Sequence, residues 1–251
     1  MVLTGAGISA ASGISTFRGP EPDAVWSRDV TEVATYSFFR RDPVASWRWY
    51  LGRFRGLAAA LPNPAHLALV DIQATLAAAG VEVVVLTQNI DGLHRRCGTR
   101  DLIEVHGRAD RVRCARVGCA HGAPGGSLEV PWAALDAFQH TPSVEALPRC
   151  PLCHDLLRPH VLWFDERYDE HRDYGLERVE GLFERLDLVI AVGTSFSVGI
   201  TAMVLGQAGW MGVPIWSIDP HGAAPAGIHH LPLPAEGALP ALAEKLAAVP
   251  R

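Results

Sequence analysis

The chain opens with a strand that runs into a glycine turn, and that pairing narrows the possible folds more than any other stretch. In residues 1–19, MVLTGAGISAASGISTFRG, three apolar residues and Thr4 make a short buried strand, Gly5-Ala6-Gly7 turns sharply, and small residues open a helix or loop. Such a turn presents backbone N–H groups to an anion, usually a pyrophosphate. The match is imperfect, because Gly5-Ala6-Gly7-Ile8-Ser9-Ala10 carries Ala10 where the dinucleotide fingerprint has its third glycine. A tight turn into a core helix would read the same way. Phe17-Arg18-Gly19 favours the nucleotide, since an aromatic ring and a cation just past the turn can cover and clamp it.

The rest of the chain repeats the theme. Asn63-Pro64 starts a helix, with Asn as N-cap and Pro as first helical residue; Leu67 and Val70 lie on its face and Gly80 closes it. Residues 81–86 are a β-branched run suited to a strand buried on both faces of a parallel sheet. Residues 101–106 form a second short strand. From Arg158 the alternation resumes, with 161–164 extended and Leu176, Val179, Phe183 and Leu186 on one helix face. A strand over 188–192 ends in Gly193-Thr194-Ser195, a helix runs to Gly212, a strand over 214–218 ends at Asp219, and a helix over 238–249 closes the chain. Ligand-type residues at strand ends in repeated βα units predict an α/β fold, a Rossmann-like doubly wound parallel sheet with its ligands at the carboxyl edge. Residues 24–61, rich in Trp, Tyr, Phe and Arg, read as short helices forming a lid over the nucleotide turn.

Bulk properties exclude other classes. With 251 residues the chain fits one large domain, or one domain with an insert. A net charge of −5 and a single lysine, Lys245, leave no polybasic footprint for nucleic acid. No apolar run approaches the ~20 residues of a membrane span, and the first motif begins too early for a signal peptide. No membrane association, a cytoplasmic location and a monomer are therefore expected.

Three groups carry chemistry. Residues 87–94, TQNIDGLH, crowd amides, a carboxylate and an imidazole onto a strand end. Asn89 and Asp91 suit a carboxamide or sugar hydroxyl, or else an Asx turn. His106 ends the next strand, where a neutral imidazole can take a proton, and Gly107 would permit close ligand approach. Cys114-x4-Cys119 and Cys150-x2-Cys153 offer four thiolates to a tetrahedral structural Zn²⁺, with His121 and His154 as competing ligands. The intervening stretch has little periodicity, so metal supplies what a core does not. Cys97 reads as a buried apolar residue.

Together these residues resemble the sirtuins, NAD-dependent protein lysine deacylases, over nearly the whole chain and in family order. The resemblance rests on Gly5 to Ser9 with Ser12-Gly13 and Phe17-Arg18, on residues 87–94, on His106-Gly107, on the four cysteines, on Arg158 to Phe164, and on Gly193-Thr194-Ser195. It implies that NAD is consumed. The carbonyl oxygen of an acylated lysine in a protein or peptide attacks the ribose carbon bearing nicotinamide; His106 then acts as general base on a ribose hydroxyl, giving free lysine and acyl-ADP-ribose. By family position His106, Asn89 and Asp91 are catalytic. Gly5, Ala6, Gly7, Ser9, Phe17, Arg18, Gln88, Asn89, Ile90, Asp91, Gly193, Thr194, Ser195, Asp219 and Ala235 would contact NAD. Val161, Leu162, Trp163 and Phe164 would pair with substrate backbone. Tyr50 and Arg53, in a Tyr-x-x-Arg, would bind the carboxylate of succinyl or malonyl groups, as in the subgroup that removes them.

The same resemblance implies a discontinuous NAD-binding domain (1–22, 60–108 and 155–251), a helical lid (23–59) and a zinc-binding module (109–154), so that a small zinc-binding/helical domain is inserted into the sheet domain. Ser15, Asp165, Ile200 and Asp219 depart from the family pattern, with Pro, Gly, Pro and Asn usual there. Asp165 would bring a charge next to the substrate strand. Mono-ADP-ribosyl transfer, a catalytically weak NAD or ADP-ribose binding module, and a hydride-transferring dehydrogenase are the rival readings.

Overall fold

A computed structural model of the chain describes residues 1–15, 28–197, 199–221 and 224–249. Phe17 and Arg18, the expected clamp, lie outside the described residues, as does Trp26. The strands are β1 (Val2–Thr4), β2 (Val85–Thr87), β3 (Leu102–Glu104), β4 (Gly107–Cys114), β5 (Leu128–Glu129), β6 (Leu157–Val161), β7 (Val189–Val192), β8 (Ile215–Ile218) and β9 (His229–Leu231). The helices are α1 (Arg28–Val33), α2 (Tyr36–Arg41), α3 (Pro43–Ala59), α4 (Pro64–Ala77), α5 (Leu93–Arg96), α6 (Trp132–His140), α7 (Leu176–Phe183), α8 (Gly199–Met211) and α9 (Ala235–Ala247). None of the described helices is long and apolar enough to cross a membrane.

Six strands form a parallel sheet in the order β3-β2-β1-β7-β8-β9. The expected doubly wound sheet is therefore present, and its apolar runs are buried on both faces. Leu3, Val84 and Leu86 pack with Val179, Leu182, Ile200 and Val204 from α7 and α8. Val2, Val85 and Val192 pack on the opposite face with Leu69 and Ile72 of α4 and Leu239 of α9. Asn63 caps α4 as read, its side-chain oxygen accepting from the Ala65 N–H at 2.9 Å. The strand expected over 81–86 is only Val85–Thr87, because its leading residue Val81 lies outside the sheet and is 48% exposed. Edge strand β9, two of whose three residues are exposed, gave no hydrophobic signal, and α9 begins three residues earlier than the pattern suggested.

The insert differs from its sequence reading. Strands β5, β4 and β6 form an antiparallel sheet that reaches past the last cysteine to Val161. This sheet and α6 share one apolar core with the lid helices, in which Trp47, Tyr50, Leu51 and Phe54 of α3 meet Val112, Leu135, Phe138, Leu157 and Trp163. Trp47 is fully buried, and its indole N–H donates to the Leu157 carbonyl at 2.9 Å. The expectation of a module without a core is corrected: its core is assembled from two segments distant in sequence, and large aromatics of the lid segment fill it.

Candidate active site

The sheet reverses its winding between β1 and β7, the topological switch point at which doubly wound folds place ligands. The Gly5 N–H donates to Val192 O at 3.0 Å and the Gly7 N–H to Gly193 O at 2.9 Å. A Cβ on Gly7 would stand 2.6 Å from Gly193 Cα, and one on Gly193 (φ +58) would stand 2.4 Å from Ile8 N. These glycines therefore let two chain segments touch, and two of the N–H groups expected to face an anion are already spent. The segment Ala6–Ser12 is a 3₁₀ helix, without the α-helical N-terminus of the usual fingerprint. Thr194 is buried beside this contact, Ser195 is exposed with its hydroxyl 2.7 Å from that of Ser197, and Asp219 directly follows β8 with its carboxylate accepting from His221 N at 2.8 Å. Ala235 is the buried first residue of α9.

Across the same edge, residues 88–91 form a hydrogen-bonded nest with Ser9. Asn89 Nδ2 donates to Gly5 O (3.0 Å) and Ser9 Oγ (3.1 Å), and Ser9 Oγ donates to Asp91 Oδ2 (2.8 Å). Both amide hydrogens of Asn89 are thus committed, so it meets a ligand as an acceptor. The other Asp91 oxygen accepts from Leu93 N at 2.8 Å, so the Asx turn and the site are the same structure. Burial pushes the Asp91 carboxyl above its ordinary pKa, against the pull of the Leu93 N–H and the Ser9 hydroxyl. Gln88 is held from both ends, donating to Thr194 Oγ1 (3.2 Å) and accepting from Thr201 Oγ1 (3.2 Å). Ile90 is half-buried beside this nest, against the small-domain core.

His106 stands where β3 gives way to β4. Its Nδ1–H donates to Gln88 O at 2.8 Å, which leaves Nε2 as the proton acceptor. Burial lowers its pKa to about 4, although the Gln88 carbonyl favours the charged form. What sits on Nε2 has no local sequence signature. The Tyr168 hydroxyl lies 3.2 Å away and accepts in turn from the Ile200 N–H at 3.3 Å. That N–H exists because Ile200 stands at a position where the resemblance has Pro. Gly107 (φ +78) is required by the chain itself, since a Cβ would come within 2.2 Å of His160 O.

The candidate substrate segment is partly spent. Val161 pairs within the small sheet, Leu162 N donates to His106 O (2.9 Å), Phe164 N to Ala34 O (3.1 Å) and Trp163 N to Glu166 Oε2 (3.0 Å). Trp163 is buried in the small-domain core, while Phe164 is exposed. Glu166 anchors this segment between Arg158 and Arg113, the latter at 2.7 Å, with all three side chains buried. Asp165 turns its carboxylate to the start of α2, accepting from Tyr36 N, Ser37 N (3.0 Å) and Ser37 Oγ (2.9 Å). Burial acts to raise its pKa, yet the Ser37 and Tyr36 N–H groups hold it below the usual value. The Tyr50 ring is buried against Trp163, and its hydroxyl interacts with the Trp163 side chain. The Arg53 guanidinium lies 3.6 Å over the Trp49 ring. That stacking occupies its face, Nη1–H donates to Trp49 O at 3.3 Å, and the remaining edge N–H groups can meet an acceptor.

The four cysteines converge as their spacing predicted, with Sγ atoms all within 4.8 Å of one another. The Cys114–Cys153 and Cys119–Cys150 separations are 3.4 and 3.7 Å. Tetrahedral Zn²⁺ with Zn–S near 2.3 Å needs about 3.8 Å between sulfurs, so the set fits zinc. Neither His121 nor His154 belongs to it. Cys97 is half-buried and lies apart from this cluster.

Two further histidines make stability depend on acid. His66 and His94 are buried 4.8 Å apart, and burial lowers their pKa values from 6.5 to about 4 and about 3. A proton then binds the unfolded chain more tightly than the folded one. Their contribution is complete above about pH 6.5 and is lost as pH falls below it, by up to about 1.4 kcal/mol per pH unit for each group. A melting temperature that is flat above pH 7 and declines from pH 6.5 toward 4 is the expected result of a calorimetric pH series. A Tm unchanged over that range would contradict it.

Comparison with known proteins places this geometry. The profile described as the Sir2 family matches residues 5–199. The NAD-dependent protein deacylase of Aeropyrum pernix is 39% identical over 234 residues, 93% of this chain and 85% of that protein. The NAD-dependent protein deacylase sirtuin-5, mitochondrial, of Danio rerio is 39% identical over 226 residues, 85% of this chain and 71% of that protein. A crystal structure of a Sir2 homologue bound to NAD superposes with a TM-score of 0.79 at 34% identity, covering 98% of this chain and 88% of that one.

Proposed function

The chain belongs to the Sir2 family, and from that membership we propose that it removes acyl groups from lysine side chains of proteins at the expense of NAD, acidic acyl groups included. The observation that carries this reading is the nest of Ser9, Gln88, Asn89 and Asp91 at the switch point, with His106 hydrogen-bonded to the carbonyl of Gln88. When bound there, NAD supplies an electrophilic ribose carbon with a cationic leaving group. Asn89 and Asp91 orient the nicotinamide ribose. His106 Nε2, neutral at physiological pH, takes the proton of a ribose hydroxyl once the Tyr168 hydroxyl has moved off it. Thr194, Ser195 and Asp219 serve the remaining ribose and phosphates. The cysteine cluster is remote in role: four thiolates fill a zinc ion and leave no position for a catalytic water.

The direct test is incubation of acetyl- and succinyl-lysine peptides with NAD, with mass spectrometry of the products. Nicotinamide, free lysine and acyl-ADP-ribose in equal amounts are expected. NAD binding without turnover would favour a binding module, and an ADP-ribosylated protein acceptor would favour transfer.

Tyr50 and Arg53 support the acidic preference. A tyrosine hydroxyl and an arginine fork one helical turn on, stacked on Trp49, suit a carboxylate. Succinyl-lysine is expected to turn over faster than acetyl-lysine. Arg53→Met should lower succinyl kcat/KM by about 10- to 100-fold, the loss of one charge-assisted contact of about 1.5–3 kcal/mol, with acetyl turnover little changed. Equal discrimination by parent and variant would remove the pocket assignment.

A further inference from the structure

A second cluster of metal-ligating side chains lies behind the strand that carries Gly107. His160 of β6, His171 and Asp173 each offer one donor atom, and the three atoms lie within 4.8 Å of one another. Asp173 Oδ2 is 3.1 Å from His160 Nε2 and 3.9 Å from His171 Nδ1. Tetrahedral ligands at 2.0–2.1 Å from a zinc ion stand about 3.3–3.4 Å apart, so small rotations bring this set to size.

Two independent features point to a ligand. His160 is wholly buried; its Nε2 meets only the Asp173 carboxylate, at 3.1 Å, and its Nδ1 has no hydrogen-bond partner. Buried polar atoms are rarely left this way without an unseen ion or water. His171 is already in the tautomer that an Nδ1 ligand requires. Its Nε2–H donates to Gly126 O at 3.2 Å, the outer-shell bond that ligating histidines make; the 3.2 Å bond from Asp173 N to its Nδ1 must yield, and Asp173 Oδ2 also accepts from Ser127 Oγ at 3.2 Å. The neighbouring cations are engaged elsewhere: Arg108 with Asp110, Arg113 with Glu166, and Arg111 with Ser127.

We propose that His160, His171 and Asp173 bind a divalent transition-metal ion, with zinc the match for two imidazoles and a carboxylate, as a second metal site distinct from the four cysteines. Its fourth position opens on the cleft lined by Ser127, Arg108 and Arg111. The ion ties β6 to residues 171–173 and, through His171, to the Gly126 loop of the cysteine-bearing module.

The test is titration of cobalt(II) into the zinc-loaded chain, read by visible absorption and by metal analysis. One further equivalent is expected, with d–d bands and no sulfur-to-metal charge transfer. Asp173→Asn, at a side chain 46% exposed, and His171→Asn should each weaken that equivalent by at least about tenfold. Unchanged melting of Asp173→Asn without added metal shows that the fold is intact. No further equivalent, one that binds equally to parent and both variants, or one that appears only with sulfur charge transfer overturns the proposal.

Discussion

Replacing His106 with alanine is expected to lower acyl-lysine turnover by about 10²- to 10⁴-fold, the usual worth of a positioned general base, while NAD binding stays within a few-fold. The geometry makes the effect specific to one nitrogen. The Gln88 carbonyl holds Nδ1–H, so only Nε2 can accept, and burial keeps the ring neutral well below neutral pH, its pKa near 4. The rate should therefore show no histidine limb between pH 6 and 8, and any acid limb should lie below about pH 5. Steady-state rates of acyl-ADP-ribose formation across pH, beside NAD affinity by calorimetry, check both parts. A variant turning over within tenfold of the parent would place the base elsewhere.

Removing zinc from the cysteine site is expected to have the larger structural effect. Structural zinc contributes of order 10 kcal/mol or more, comparable with the 5–15 kcal/mol that holds a typical domain together. Here the metal is continuous with the small-domain core, because Cys114 and Cys150 are buried in the cluster that contains Trp47, Tyr50 and Trp163. Its loss should reach the acyl-lysine end of the site through those aromatics. Chelation, or Cys150→Ser, should release one equivalent of zinc from the cysteines, abolish the near-ultraviolet signal of the buried tryptophans and lower Tm by well over 10 °C. Zinc release with an unchanged near-ultraviolet spectrum would show that the core stands without it.

The sheet was legible, edge strand β9 apart, because its strands are short, apolar and followed by turns whose residues have few alternatives. Asn63-Pro64 reads as a helix start in any context, and four cysteines in two close pairs have few other uses. What lay beyond the sequence are contacts between distant segments. The small-domain core joins α3 to residues more than fifty positions later, so each segment alone looks either overfull or empty of core residues. Tyr168 carries no local signature, and its bond to His106 depends on an N–H at residue 200. Asp165 looked like a stray charge at the substrate strand, whereas its oxygens serve the N–H groups of α2. The glycines at 5, 7 and 193 also pack against one another, a constraint the motif alone does not reveal.

The Arg113–Glu166–Arg158 group sets a rule for how this sequence can drift. Two buried guanidinium groups share one carboxylate, and that carboxylate also receives the Trp163 N–H. Losing one partner of a buried ion pair costs about 3–5 kcal/mol, and losing Glu166 strands two cations at once. The three positions are therefore expected to vary together. A lineage can abandon the glutamate only after an arginine has gone first, so relatives that vary at 166 should carry a changed residue at 113 or 158.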